Sequence, residues 1–324
     1  MMSFRPFSYL MFSFFILLFS SCEDLDNKNK SNANDGYSVN PNSIVTYSQT
    51  GDIQTTIKNI EYKRVIILAT PYYNLFDAIN AENNVVGLMN LSRVNNVAKH
   101  IQSVGEGAEL DLEKIISLRP DLIICNTHQL DQVKSLKTPK LAYDMYLESL
   151  PSQRTKFLIM IGSVVNKVEL ATSTYLEIQN EFVYPKDSLG KTVLKLNNYG
   201  SGWFQPGCET YISNLIKAAG AKPFCIEGSS KSEKVSNESA ILSLSKNEIL
   251  LFMDWGESKE GMKDRLKNIL ELDNHPSQLL YCNTTKSDYF QESVLNSYEI
   301  INDLHQVLKT GEKGAFFELI SIEK

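Results

Sequence analysis

The chain has 324 residues, 43% hydrophobic and 22% charged, which is ordinary for a globular fold and enough for two domains with their own cores. Its formal net charge of −6, with no basic stripe, argues against a nucleic-acid partner. With four histidines, and neither HExxH nor GxSxG, a zinc or manganese cluster or a hydrolase triad fits poorly.

Arg5 precedes an apolar stretch from Phe7 to Phe19, and Ser20-Ser21-Cys22 follows. That order reads as a signal peptide over residues 1–21, its apolar part too short for a comfortable membrane span. Small residues before Cys22 mark it as the expected lipidation site. The acidic run after it, Glu23 to Asp26, resembles a surface-export signal of Bacteroidetes-type bacteria. Residues 22–42 are rich in Asn, Asp, Lys and Ser and read as a flexible tether.

Residues 43–150 read as a first α/β lobe. A hairpin is expected over 44–60, strands over 64–69 and 85–89, and a helix over 75–80. Residues 70–74 (TPYYN) read as a loop carrying Tyr72 and Tyr73. The polar segment 90–100 holds Arg93. Next comes VGEGAELDLEKIISLRPDLIIC: a glycine turn, a short amphipathic helix with Glu113 in its first turn, a break at Arg119-Pro120, and a buried strand from Leu122 to Cys125. Its Gly105-Glu106-Gly107 starts a dinucleotide pattern, but Leu110 occupies the third glycine position. His128 lies in the loop after that strand, and Tyr146 follows another strand over 140–143.

Residues 151–185 carry apolar residues at helical spacing, with Arg154 near the start and a break near Asn166. This is the expected connector. Residues 186–324 repeat the plan as a second lobe. A strand over 192–196 leads to a loop with Trp203 and Phe204, and a helix over 209–219 ends at Gly220. Val235 to Phe252 then repeats the Glu-helix-strand unit, with Glu238 where the first unit has Glu113. Trp255, a helix over 262–272, a strand over 278–283, a loop with Tyr289, and a closing helix over 294–308 complete the chain. Of the remaining cysteines, Cys125, Cys208, Cys225 and Cys282, the default expectation is buried free thiols, although an exported protein can oxidise a pair.

Alternating strands and helices imply parallel sheets covered by helices, with ligands beyond the carboxyl ends of the strands. The loops there hold Tyr72, Tyr73, Arg93, His128, Tyr146, Trp203, Phe204, Trp255 and Tyr289. Such rings suit a large ligand with apolar faces and polar edges, with Arg93 or Arg154 meeting an anionic edge.

From Arg64 to Leu308 the chain resembles the periplasmic binding proteins of iron–siderophore, haem and cobalamin ABC importers. ELDLEKIISLRPDLIIC is similar to the family's Asn-Leu-Glu-x-Ile-x-x-Leu-x-Pro-Asp-Leu-Val-Ile signature. Trp203 to Tyr211 is similar to its Trp-x-x-Pro-Gly-Gly-x-Ser-Tyr, and Leu150 to Gly162 to the start of the connecting helix in Bacteroidetes members. Thr70-Pro71-Tyr72 and Cys208 depart from the family pattern beside the expected cleft. The resemblance implies two Rossmann-like lobes joined by a single long helix and a ligand between them. It implies no catalytic residue and no intrinsic cofactor or metal. The ligand would be an iron complex, haem or corrinoid, and Glu113 and Glu238 would dock on an ABC permease dimer. A lipid-anchored monomer in the periplasm or on the outer-membrane surface is expected. Capture at the surface without a permease is the second reading, and an enzyme on the same scaffold a distant third.

Overall fold

The apolar runs pair as parallel strands in two sheets of matching order. The computed structural model describes residues 36–322, apart from 49, 199–201, 255–265, 268 and 270–274. An antiparallel sheet comes first: β1 (Tyr37–Val39), β2 (Ser43–Tyr47) and β3 (Ile53–Lys58). The fold therefore begins inside the stretch expected as tether. Tyr37 anchors it there: the ring is buried and its hydroxyl donates to the Lys156 carbonyl at 2.8 Å.

The first lobe holds β4 (Val65–Ile67), α1 (Pro71–Asp77), β5 (Val85–Leu88), β6 (Gln102–Ser103), the small hairpin β7 (Gly105–Glu106) and β8 (Glu109–Leu110), α2 (Leu112–Ser117), β9 (Leu122–Cys125), α3 (Leu130–Val133) and β10 (Lys140–Ala142). Its parallel sheet runs β10-β9-β4-β5-β6. Both faces are covered, so β4 and β9 are apolar at every position and wholly buried. Arg119, held in the left-handed region (φ 47°) ahead of Pro120, ends α2 where the sequence predicts a break.

The connector is two helices rather than one. A 3₁₀ turn (Pro151–Lys156) leads into α4 (Phe157–Val164), and α5 (Val168–Glu181) runs back alongside it. Asn166, at φ 56°, makes the break anticipated there. Gly162 explains the closeness: a Cβ on it would lie 2.5 Å from that of Ala171. At the far end the Gln179 amide donates to the Ser152 carbonyl and the Thr155 hydroxyl.

The second lobe holds β11 (Thr192–Lys195), β12 (Asn197–Asn198), β13 (Trp203–Pro206), α6 (Tyr211–Ala218), β14 (Lys222–Phe224), β15 (Ser232–Val235), α7 (Asn237–Lys246), β16 (Ile249–Asp254), β17 (Gln278–Asn283), α8 (Tyr289–Leu295), α9 (Ser297–Thr310) and β18 (Glu318–Ser321). The sheet order β17-β16-β11-β14 matches β10-β9-β4-β5, and β18 adds an antiparallel edge. The loop expected between β11 and α6 is a β-hairpin that pairs with β15. The helix expected over 262–272 falls mostly outside the described residues. Cys22 and the signal peptide lie outside them entirely.

Candidate functional site

Two of the loops expected to face a ligand are first turns of helices. Pro71 sits in the first turn of α1, where its missing N–H costs nothing and its fixed φ suits the helix. Tyr72 and Tyr73 therefore turn into the core, 1% and 3% exposed, instead of lining a cleft. Enclosing an aromatic ring of this size contributes about 2–3 kcal/mol. The Tyr72 hydroxyl donates to the Tyr143 carbonyl, and burial pushes its pKa well up. The Tyr73 hydroxyl accepts from the Ala98 N–H at 3.2 Å. Likewise Tyr289 opens α8 and is 3% exposed, with Tyr211 beside its hydroxyl. Helices α1 and α8 pack on each other across the lobes, and Val294 of α8 belongs to the first lobe's core.

Arg154 is committed to the same junction, which is why it does not meet an open cleft. It is 8% exposed, and its guanidinium lies 3.4 Å from the centre of the Tyr211 ring. Nη1 donates to Ser293 Oγ at 3.1 Å and Nη2 to the Tyr146 carbonyl at 3.4 Å, while Nε stays buried without a partner. Three further bonds cross between lobes: Asn95 Nδ2 to Asp288 Oδ2, the Gln291 amide to the Arg93 carbonyl, and Asn214 Nδ2 to the Ser149 carbonyl. The Arg93 side chain remains exposed, as do His128 and Tyr146. Trp203 and Phe204 stand half-buried in β13, with Trp203 packed against the second lobe's core. Trp255 lies outside the described residues.

A cavity of about 830 Å³ opens where β9 and β10 end. Its wall combines the β2–β3 hairpin (Tyr47, Ser48, Thr50, Gln54) with Thr127, Tyr143, Asp144, Leu147, Glu148, Ser149 and Lys156 of the first lobe, and Ser230 of the second. Lys156 and Glu148 form an ion pair at 2.7 Å with little exposure. Asp144 Oδ1 accepts from the Thr127 N–H at 2.8 Å. Partial burial, then the Asp144 charge, raises the Tyr146 pKa above its ordinary value. The sequence reading brought none of these wall residues forward. They are common polar types without a motif, and only the hairpin's position beside β10 gathers them.

Lys195 was also missed, although a lysine inside the apolar run TVLKL is a visible signal. It closes β11 at the carboxyl edge of the second sheet, 6% exposed, and burial lowers its pKa to about 8. Among the described residues, the group bearing on it electrostatically is the Cys282 thiol, itself pushed up to about 12 by burial.

The two acidic positions keep their matched register. Asp111 caps α2 by accepting from the Lys114 N–H, and Ser236 caps α7 by accepting from the Ser239 N–H. Glu113 and Glu238 each lie two residues past the cap and are exposed. Hydrogen bonds from its own backbone N–H and from Ser236 hold the Glu238 carboxyl below the usual range. One turn on, Ile116 and Ile241 are also exposed.

Cys208 and Cys225 form a disulfide, which corrects the expectation of free thiols for that pair, while Cys125 and Cys282 are free and buried. The bridge ties the start of α6 to the loop after β14, where Cys208 N–H also donates to the Ile226 carbonyl. The departure from the family's glycine at 208 thus has a structural partner.

Residues 65–275 match the family model described as periplasmic binding protein. No curated protein matches the chain. Among solved structures, a periplasmic binding protein from Veillonella parvula superposes with TM-score 0.59 at 14% identity, over 85% of this chain and 100% of that one. A periplasmic haem-binding protein from Pseudomonas aeruginosa gives 0.58 at 17%, over 81% and 99%. An ABC-type Fe3+-hydroxamate transport protein from Saccharomonospora viridis gives 0.58 at 14%, over 82% and 98%. With two matching α/β lobes, a helical connector and most of the chain under one family model, this protein belongs to the periplasmic binding protein family.

Proposed function

We propose that the protein is the solute-binding component of an ABC importer, taking up a chelated metal or tetrapyrrole and passing it to an inner-membrane permease. The cavity between the hairpin, the ends of β9 and β10, and Ser230 carries the reading, because it lies where ligands sit in parallel α/β sheets. The structural neighbours' ligands, haem and ferric hydroxamate among them, support the ligand class. Titrating the protein with ferric hydroxamate, haemin and cyanocobalamin, following intrinsic fluorescence, should give saturable binding for one of them. An absorbance scan and native mass spectrum of protein purified from its own host should show the same class. If none of the three binds and nothing co-purifies, the reading is wrong.

Delivery rests on Glu113 and Glu238. Carboxylates at the start of α2 and α7 are favoured by the helix dipole without any partner. Their repetition, one per lobe, fits a two-fold partner with basic residues, and paired charges speed and orient encounter at a cost in salt sensitivity. Glu113→Ala with Glu238→Ala should leave ligand affinity unchanged and impair uptake, the double variant most. Full uptake by the double variant would favour surface capture without a permease.

The anchor is Cys22. Several acyl chains on one cysteine hold a protein to a bilayer where a single chain does not. Cys22→Ser should move the protein from the membrane fraction to the soluble fraction of cells. Persistent membrane partitioning would remove the lipid anchor from this account.

A further inference from the structure

The charges on the cavity wall narrow the ligand class, an inference that rests on the solute-binding reading above. Among the described residues three charged side chains line it: Asp144, Glu148 and Lys156. Lys156 and Glu148 neutralise each other at 2.7 Å, both close to nine-tenths buried, and the Lys156 ammonium also lies 5.6 Å from the Phe157 ring centre. Asp144 is left as the uncompensated charge. One of its oxygens takes the Thr127 N–H, a bond that also orients the carboxylate. Its charge adds to burial in raising the pKa values of Tyr72, Cys125 and Tyr146. Of the two arginines expected to meet an anion, Arg154 is turned away into Tyr211 and Ser293, and Arg93 is not on this wall. The rest of the wall is hydroxyl and amide, such as Tyr47 and Gln54, which hydrogen-bond without charge.

We propose that this cavity selects chelates with no net negative charge, neutral or cationic, and discriminates against anionic ones. An anion would meet Asp144 with its own charge and, among the described lining residues, gain no cation that is not already paired. A neutral complex with carbonyl and amide edges would find matching donors and acceptors, and a cationic one would also gain Asp144.

The full-length protein in detergent would be titrated with ferrioxamine B, which is cationic, with neutral ferrichrome, and with the triply negative ferric enterobactin. Neutral cyanocobalamin and anionic haemin form the matching tetrapyrrole pair. Like charges brought together at an interface are strongly unfavourable, so the cationic or neutral member should bind at least about tenfold more tightly than the anionic one. The gap should shrink as salt screens Asp144. Asp144→Asn keeps the acceptor for Thr127 and should narrow the gap, and Gln54→Lys, which adds a cation to the half-buried wall, should narrow it further. Tighter binding of the anionic member, or a gap unmoved by both variants, overturns charge selection and leaves the solute-binding reading standing. Failure of all five compounds to bind, with nothing co-purifying from the host, removes both.

Discussion

Replacing Lys195 with methionine should stabilise the protein at neutral pH by about 3 kcal/mol, because the buried lysine holds a charge the fold does not favour. The unfolded chain keeps this proton up to about pH 10.5, and the folded chain gives it up near pH 8. Below pH 8 both states carry the charge, and the folded state bears the whole desolvation penalty. Between the two values the unfolded state binds more protons, so the Lys195 contribution to stability rises with pH, and above 10.5 the penalty is gone. Methionine has a similar reach and no charge, so it fills the space between β11 and Cys282 with little repacking. Urea unfolding at several pH values, wild type against Lys195→Met, checks this. The two proteins should differ most at pH 7 and converge as pH rises towards 10.5. Parallel curves across that window would show that Lys195 is not held as a buried cation.

Loss of the Cys208–Cys225 bridge should cost a similar amount. The two residues are 17 apart in sequence, and closing a loop of that length lowers the entropy of the unfolded chain by the equivalent of about 3 kcal/mol. Cys208→Ser with Cys225→Ser should therefore lower the denaturation midpoint in urea, with a slope no shallower than the wild type's because the released chain exposes more surface when unfolded. Adding reductant to the wild type should reproduce the variant, and adding it to the variant should do nothing. Equal midpoints for the two proteins would mean that the bridge does not constrain the unfolded chain. A stabilising disulfide also fits an oxidising compartment, which agrees with the signal peptide expected from the N-terminal sequence.

Much of the architecture was legible because periodicity survives packing. The strand–helix alternation, the repeated Glu-helix-strand unit and the break at Asn166 all follow from apolar spacing and backbone preference. Helix starts were less legible. Pro71 opens α1 rather than a loop, and α8 begins at Tyr289 after Asp288, whose left-handed φ of 50° no strong turn residue announces. Those two errors moved Tyr72, Tyr73 and Tyr289 from an imagined cleft into the core. The cavity was invisible for another reason: Tyr47, Asp144 and Lys156 are far apart in sequence, and only tertiary pairing of β3 beside β10 brings them to one wall. The Cys208–Cys225 pairing was open because sequence spacing alone does not choose a partner.

In the proposed transport role, the packing of α1 against α8 decides where mechanical work is done. Prying the lobes apart would bring Val294 into water and break the Arg154 contacts with Tyr211 and Ser293. Thermal motion alone rarely supplies that much, so the loaded and empty proteins should share nearly one outline in solution. Capture then resembles filling a preformed scoop, which loses little conformational freedom and favours slow escape. In the proposed delivery role, the effort of emptying it would fall on the partner that engages both lobes.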